Sequence, residues 1–284
     1  MTRQTGLSVS DVVVEYGGRN PLRAVDGVSL VVEPGEVVAL VGESGCGKSS
    51  LARAVVGIER RAAGSVKLGD LDVPTMGLRT RSNDMTAIQM VFQDPNSSLN
   101  PRRRVGEQIG DGIRAAVARG DESSTPSYWL ERVGLDQSAA RRYPHEFSGG
   151  QRQRLAIARA IAARPRMLIA DEPISALDAS TQMSVAALMR SLCEGVNAGM
   201  LFISHDLSVV RRIADRTLVM YRGRVVESGH TETIWRHPRH PYTRALIGAI
   251  PVPDGAGRLP VAPADGDRDA WGIDISDAHD RTPQ

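Results

Sequence analysis

The sequence predicts an α/β fold: a mainly parallel core sheet covered by helices on both faces, an antiparallel β subdomain at the N-terminus, and a helical subdomain inserted midway. Three observations carry this. Short β-branched and aliphatic runs alternate with helical stretches along most of the chain, the pattern of buried parallel strands joined by crossover helices. The first forty residues instead hold successive β-like runs separated only by turn residues, which is a hairpin pattern. Residues 105–163 read as helix without an intervening strand, so they form a layer of their own.

The elements follow in order. Leu7, Val9 and Val12 to Val14 lead into Tyr16 and the Gly17-Gly18 turn. Residues 28–32 and 36–41 are β-branched runs divided by Pro34-Gly35, a turn signal. A glycine-rich loop then opens a helix over about 47–56, and residues 66–68 and 88–92 are short strands. The helical stretch 105–163 is broken near residues 121–124 and at Pro144. Residues 166–170 form an apolar strand, 179–193 a helix and 200–204 a further strand. A short helix and strands near 218–221 and 224–227 complete the pattern. The domain division is 1–250, with the helical subdomain at about 95–160, followed by an extension at 251–284.

The 284 residues are 41% hydrophobic and 24% charged, enough for a sizeable core. That excludes a disordered chain, a collagen and a small disulfide scaffold. Cys46 and Cys193 are the only cysteines, so a reducing compartment is expected. No secretory leader opens the chain, and no apolar run reaches the about 20 residues of a membrane-spanning helix. The formal charge of +2 lacks the basic excess of a nucleic-acid binder. It conceals an asymmetry: residues 254–284 carry seven Asp and three Arg, a net −4 that leaves +6 on residues 1–253. The Pro-, Gly- and Asp-rich tail is expected to be largely mobile, with Trp271 and Ile273 its candidates for docking. Of the 35 basic residues only Lys48 and Lys67 are lysine.

Lys48 falls inside Gly42-Glu43-Ser44-Gly45-Cys46-Gly47-Lys48-Ser49, which fits G-x-x-x-x-G-K-[ST] between a strand and a helix. Glycines let backbone N–H groups converge on phosphate oxygens, and the helix N-terminus adds partial positive charge. Lys48 is expected at the β- and γ-phosphates as a compact ammonium that a planar guanidinium would not replace. The Ser49 hydroxyl is expected on Mg²⁺. The dinucleotide pattern G-x-G-x-x-G fails, because Ser50 stands where its last glycine belongs.

A second cluster lies 123 residues beyond Lys48, where the apolar strand ending Ile169-Ala170 runs into Asp171-Glu172. In phosphate-loop ATPases such an Asp holds Mg²⁺. Glu172 is expected to point elsewhere, because side chains alternate along a strand, and to orient or deprotonate the attacking water.

Further segments carry a resemblance. Phe147-Ser148-Gly149-Gly150-Gln151-Arg152-Gln153-Arg154 resembles the signature motif of the ATP-binding cassette (ABC) ATPases. Ser175-Ala176-Leu177-Asp178 is similar to their D-loop, Ser204-His205-Asp206 to their switch histidine, and Gln93 to the Q-loop glutamine. Tyr16 is similar to the aromatic that stacks on adenine. The likeness runs in the family's order from about residue 7 to 250, and it implies a phosphate-loop NTPase fold of ABC type. It implies ATP and Mg²⁺ as ligands. Glu172, His205 and Gln93 become the catalytic set, and Ser49, Gln93 and Asp171 the Mg²⁺ set. The nucleotide contacts would come from Tyr16, the loop Gly42 to Ser50, Ser148 to Gln151, and Asp178. Ser148-Gly149-Gly150 opens an arginine-bearing helix, so its free N–H groups and hydroxyl suit an anion, and the resemblance implies the γ-phosphate held by a partner subunit. One departure is Ile174, where many relatives carry Thr; it matches no catalytic position.

Asp94-Pro95-Asn96-Ser97-Ser98-Leu99-Asn100-Pro101 after Gln93, and His237-Pro238-Arg239-His240-Pro241-Tyr242-Thr243-Arg244 near the C-terminus, resemble the oligopeptide/dipeptide/nickel importer branch. The branch implies a subunit at the cytoplasmic face of the plasma membrane, paired with a second ABC ATPase subunit, as a heterodimer, or with itself. It also implies two permease subunits and an extracellular solute-binding protein. No cysteine follows Cys193, so the iron–sulfur cluster of some relatives is not expected. His237 and His240 sit at i, i+3, but prolines 238 and 241 spoil a regular helix and no third ligand stands nearby, so local packing is expected. Arg102-Arg103-Arg104 reads as a solvated basic patch. Nickel or another solute, and export, remain alternatives. A nucleic-acid-linked cassette is disfavoured because only 100 residues separate Lys48 from Ser148, too few for a long coiled coil. A regulator of translation would carry two cassettes.

Overall fold

The computed structural model describes residues 6–18, 21–77 and 82–250; the tail, with Trp271 and Ile273, lies outside the described residues. In chain order the N-terminal part runs β1 (Leu7–Tyr16), β2 (Leu22–Val32), β3 (Val37–Val41), α1 (Lys48–Val55), β4 (Ala63–Leu68), β5 (Leu71–Asp72) and β6 (Ile88–Val91). The helical insertion holds α2 (Val105–Ala118), α3 (Pro126–Arg132) and α4 (Gly149–Ala162). Then come β7 (Met167–Asp171), α5 (Ala179–Gly195), β8 (Gly199–Ile203), α6 (Leu207–Ile213), β9 (Arg216–Tyr221), β10 (Arg224–His230), α7 (Thr231–Arg236) and α8 (Pro241–Gly248).

Two sheets result. The first is antiparallel, in the order β2-β1-β4-β5. The second has the order β10-β9-β3-β8-β7-β6, in which β9, β3, β8, β7 and β6 run parallel and β10 closes one edge antiparallel. Successive side chains of its central strands enter two different cores. Val37, Ala39 and Val41 of β3, Leu168 and Ala170 of β7, and Met200 and Phe202 of β8 face the core shared with α2 to α6. Val38, Leu40, Ile169, Leu201 and Ile203 face the core shared with α1 and the antiparallel sheet. Every residue of β3, β7 and β8 is therefore buried, which is why these strands read as continuous apolar runs and not as alternating ones.

Local chemistry sets the helix ends. Thr125 caps α3 by accepting from the Tyr128 N–H, and Pro126 fills the first helical position. Ser148 and Gln151 form a reciprocal capping box on α4. The short strand β5 carries no periodicity of its own; it exists because Lys67 and Leu68 pair across a turn with Asp72 and Leu71. Lys67 lies 3.9 Å from Asp72 with both side chains exposed, a contact of little energetic weight. In the Arg102–Arg104 run, Arg102 and Arg104 are exposed and Arg103 is half-buried; Arg103 pairs with Asp111 at 2.6 Å and Arg104 stands 5.9 Å over the Tyr143 ring. The two thiols are buried in different cores and both are free; burial pushes the Cys193 thiol up to about 12. No described helix is long and apolar enough to cross a membrane.

Candidate functional site

The parallel register decides where the motifs meet. The glycine-rich loop leaves the carboxyl end of β3, His205 follows β8, Asp171 ends β7, and Gln93 follows β6. These strands are adjacent in the order β3-β8-β7-β6 and run the same way. Neighbouring strands lie roughly 4.8 Å apart, so four segments distant in sequence open on one edge. Ligands of open α/β sheets bind at this carboxyl edge.

The loop itself is wrapped around Lys48. Its side chain is 4% exposed, and Nζ donates to the carbonyls of Gly42 and Glu43, each at 2.8 Å. Gly47 has φ of +110°, and a Cβ there would meet the Ala24 carbonyl at 2.1 Å. Only glycine allows both that left-handed turn and that approach. The Gly223 N–H donates to the Cys46 carbonyl at 2.9 Å, clasping the loop from the β9–β10 turn. Cys46 is buried beside Lys48 (Sγ–Nζ 3.7 Å), and burial raises its thiol pKa. Glu43, Ser44 and Gly45 are exposed at the mouth.

Ser49, on the first turn of α1, donates its hydroxyl to Asp171 Oδ1 at 2.9 Å. Asp171 is 7% exposed; burial pushes its carboxyl up, against the pull of the Ser49 hydrogen bond and of Arg53. A desolvated carboxylate beside a hydroxyl is a hard oxygen pair. It suits a divalent cation of the Mg²⁺ kind, which takes one or two carboxylates plus substrate phosphates.

Glu172 departs from the strand-alternation expectation. β7 ends at Asp171, and Glu172 has φ of +47°, a left-handed backbone rare outside glycine. That turn, more than the pleat, directs its carboxylate. Glu172 is pinned by its N–H donating to the Ile203 carbonyl at 3.0 Å and by the Ser175 hydroxyl donating to its own carbonyl at 3.1 Å. The carboxylate then lies 3.5 Å from His205 Nδ1, with the His205 ring well exposed and Glu172 mostly covered.

The structure does not bring every candidate to this edge. Gln93 is exposed beyond β6 and is not hydrogen-bonded to Ser49 or Asp171. Tyr16 packs against the inner core; its hydroxyl donates to Glu59 at 3.0 Å and lies 3.1 Å from the Ser50 hydroxyl, from which it can accept. Those bonds tie the Tyr16 edge to α1 and to the segment that follows it. Ser148, Gly149 and Gln151 sit exposed at the N-terminus of α4. The Ser148 oxygen is already used as the cap acceptor, from the Gln151 N–H, which leaves its proton to donate. A Cβ on Gly150 would lie 3.7 Å from Leu177, so this segment touches the 175–178 loop. Asp178 caps α5 through Oδ1 and the Thr181 N–H at 3.0 Å. His237 ends α7, and His240 caps α8 through Nδ1 at 3.1 Å from the Tyr242 N–H. Pro241 is the first residue of α8, so proline here begins a helix instead of only interrupting one. Among the described residues no three His, Cys, Asp or Glu side chains converge as metal ligands.

One contributor escaped the sequence reading. The Glu43 N–H donates to the Tyr242 hydroxyl at 2.8 Å, from a helix 199 residues away. Tyr242 was legible as part of a C-terminal motif, but nothing in the local sequence ties it to the loop.

The chain is similar to known proteins in two segments. Residues 25–175 match the family described as ABC transporter. Residues 226–269 match the oligopeptide/dipeptide transporter C-terminal region. The di/tripeptide transport ATP-binding protein DppF of Pseudomonas aeruginosa is 45% identical over 84% of this chain and 74% of its own. The oligopeptide transport ATP-binding protein OppF of Salmonella typhimurium is 45% identical over 82% of this chain and 71% of its own. A solved dimeric, post-hydrolysis ATP-binding cassette bound to ADP and Pi aligns with a TM-score of 0.66 at 25% identity, covering 79% of this chain and 98% of that one.

Proposed function

This chain belongs to the ABC transporter family of ATPases, and from that premise we propose that it is the ATP-hydrolysing subunit of an importer for oligopeptides or dipeptides. The observation that carries the ATPase chemistry is the Ser49–Asp171 contact, made across 122 residues beside the buried Lys48 ammonium. The match of residues 226–269, and relatives that are 45% identical and named for peptide transport, support peptides as the solute class.

The chain's own groups divide the work. Lys48 and the loop amides bind the phosphates of ATP. Ser49 and Asp171, with Gln93, would hold Mg²⁺, which when bound neutralises charge on the transferred phosphoryl group. Glu172, held by a strained backbone near His205, orients the attacking water and takes its proton. His205 donates a hydrogen bond toward the γ-phosphate. Tyr16 is the adenine platform, its ring steadied through its own hydroxyl. Ser148 to Gln151 and Asp178 face the nucleotide of a second ATPase subunit, so each site is completed by two chains. That pair, most simply a heterodimer, couples its ATP-driven closure to two permease subunits at the cytoplasmic face of the membrane. An extracellular binding protein delivers the solute to those permeases.

The test is uptake of labelled di- and oligopeptides by a strain lacking this gene, complemented with the wild type or with Glu172→Gln. Peptide uptake restored by the wild type alone supports the reading. Unchanged peptide uptake with a defect in nickel or glutathione uptake moves the solute class and leaves the ATPase assignment standing.

A further inference from the structure

We propose that Tyr242 is a positioning residue for the phosphate-binding loop, through which the C-terminal segment sets the affinity for nucleotide. The proposal rests on the reading that the loop binds ATP.

The geometry centres on one peptide unit. The Gly42 carbonyl accepts from Lys48 Nζ at 2.8 Å, and the Glu43 N–H of that same planar unit donates to the Tyr242 hydroxyl at 2.8 Å. A trans peptide points its C=O and N–H in opposite directions, so lysine grips one end of the plane and tyrosine the other. Tyr242 is 1% exposed, and its ring lies against Tyr221 at 4.4 Å between centroids. The hydroxyl therefore has little room to drift.

Tyr242 is in turn braced against the core sheet. Glu227 of β10, itself 7% exposed, accepts from the N–H groups of Arg239 and His240 at 2.8 and 3.0 Å. His240 caps the helix that presents Tyr242. The strut thus runs from β10 through the 239–242 turn to the loop that follows β3. Its residues lie past the stretch matching the ABC transporter family and inside the stretch matching the transporter C-terminal region. Without the hydroxyl, the Glu43 N–H loses its partner. The peptide is then free to rotate toward water, and the Lys48 ammonium loses a fixed acceptor.

The experiment is a titration of the full-length protein with fluorescent ADP and Mg²⁺, paired with steady-state ATP turnover. Tyr242→Phe keeps the ring and removes the hydroxyl. Its Kd for nucleotide and its KM for ATP are expected to rise up to about tenfold, the scale of one lost hydrogen bond, with kcat within about twofold of wild type. Two controls separate positioning from stability. Thr243→Val removes an adjacent buried hydroxyl that has no partner, and Ile234→Ala loosens the buried face of α7; both are expected to leave Kd unchanged. An unchanged Kd in folded Tyr242→Phe overturns the proposal, and so does an equal rise in Ile234→Ala. Should Tyr242→Phe fail to fold, Glu227→Gln is read in the same assay; a rise in Kd supports the strut and an unchanged Kd overturns it. A wild type that binds no nucleotide is a different failure, that of the loop reading beneath.

Discussion

Glu172 shows how much a single backbone angle decides. Its φ of +47° is uncommon for a residue with a Cβ, and such strain persists only where surrounding bonds over-determine it. Here the Ile203 carbonyl and the Ser175 hydroxyl do so. Glu172→Gln keeps the shape and the strain but removes the proton acceptor. It is expected to retain ATP binding while steady-state turnover falls roughly 10²–10⁴-fold, the usual worth of a positioned general base. Turnover at the wild-type rate would remove Glu172 from the mechanism. The types and spacing of Lys48, Ser49, Asp171 and Glu172 were legible in the sequence; the Glu172 backbone angle was not, because no residue type announces it.

At the scale of elements, helix termini are the recurring device. α1 opens on Gly47, α4 on the Ser148–Gln151 box and α5 on Asp178, so three helices begin at segments named for nucleotide contact. Each terminus leaves N–H groups pointing outward, and the cap determines how many remain for a ligand. Ser148→Ala removes the cap acceptor of α4. It is expected to cost about 1 kcal/mol, read as a fall of roughly 2–4 °C in the thermal midpoint. A midpoint equal to wild type would mean the long 3.4 Å bond from the Gln151 N–H contributes nothing. The helical insertion was readable from residues 105–163 as a block. The break at Pro144, where a short 3₁₀ turn spans Pro144–Glu146, was readable too; the 3₁₀ turn at Gln137–Arg141 was not, since it is held by tertiary contacts such as the Val105 N–H to the Arg142 carbonyl at 2.9 Å.

For the whole molecule, the placement of Ser148 to Gln151 is decisive. Ser148, Gly149 and Gln151 lie exposed at the start of α4, and no hydrogen bond joins the segment to the loop at Gly42 to Ser49 among the described residues. In the function proposed above, this segment faces the nucleotide of a second ATPase subunit. With its partner ATPase subunit, the Glu172→Gln protein is expected to assemble in ATP and Mg²⁺ and to separate when EDTA removes the cation, as followed by light scattering. Assembly that ignores nucleotide would argue against a shared site. The +2 total divides into +6 on residues 1–253 and −4 beyond.

The sequence by itself determined the class of fold, the family, and the residue types of each proposed nucleotide motif. Those depend on residue type at fixed local spacing: glycines that turn a loop, a lysine inside it, carboxylates at a strand end. Tertiary structure alone decided which motifs meet. Parallel neighbours β3, β8 and β7 bring Lys48, His205 and Asp171 to one edge, and strand order is set by packing two cores at once. It also decided that Tyr242, 199 residues from Glu43, would hold the loop's backbone. A hydrogen bond to a backbone N–H leaves no mark on the identity of the residue that owns it, so no sequence pattern could have announced that contact.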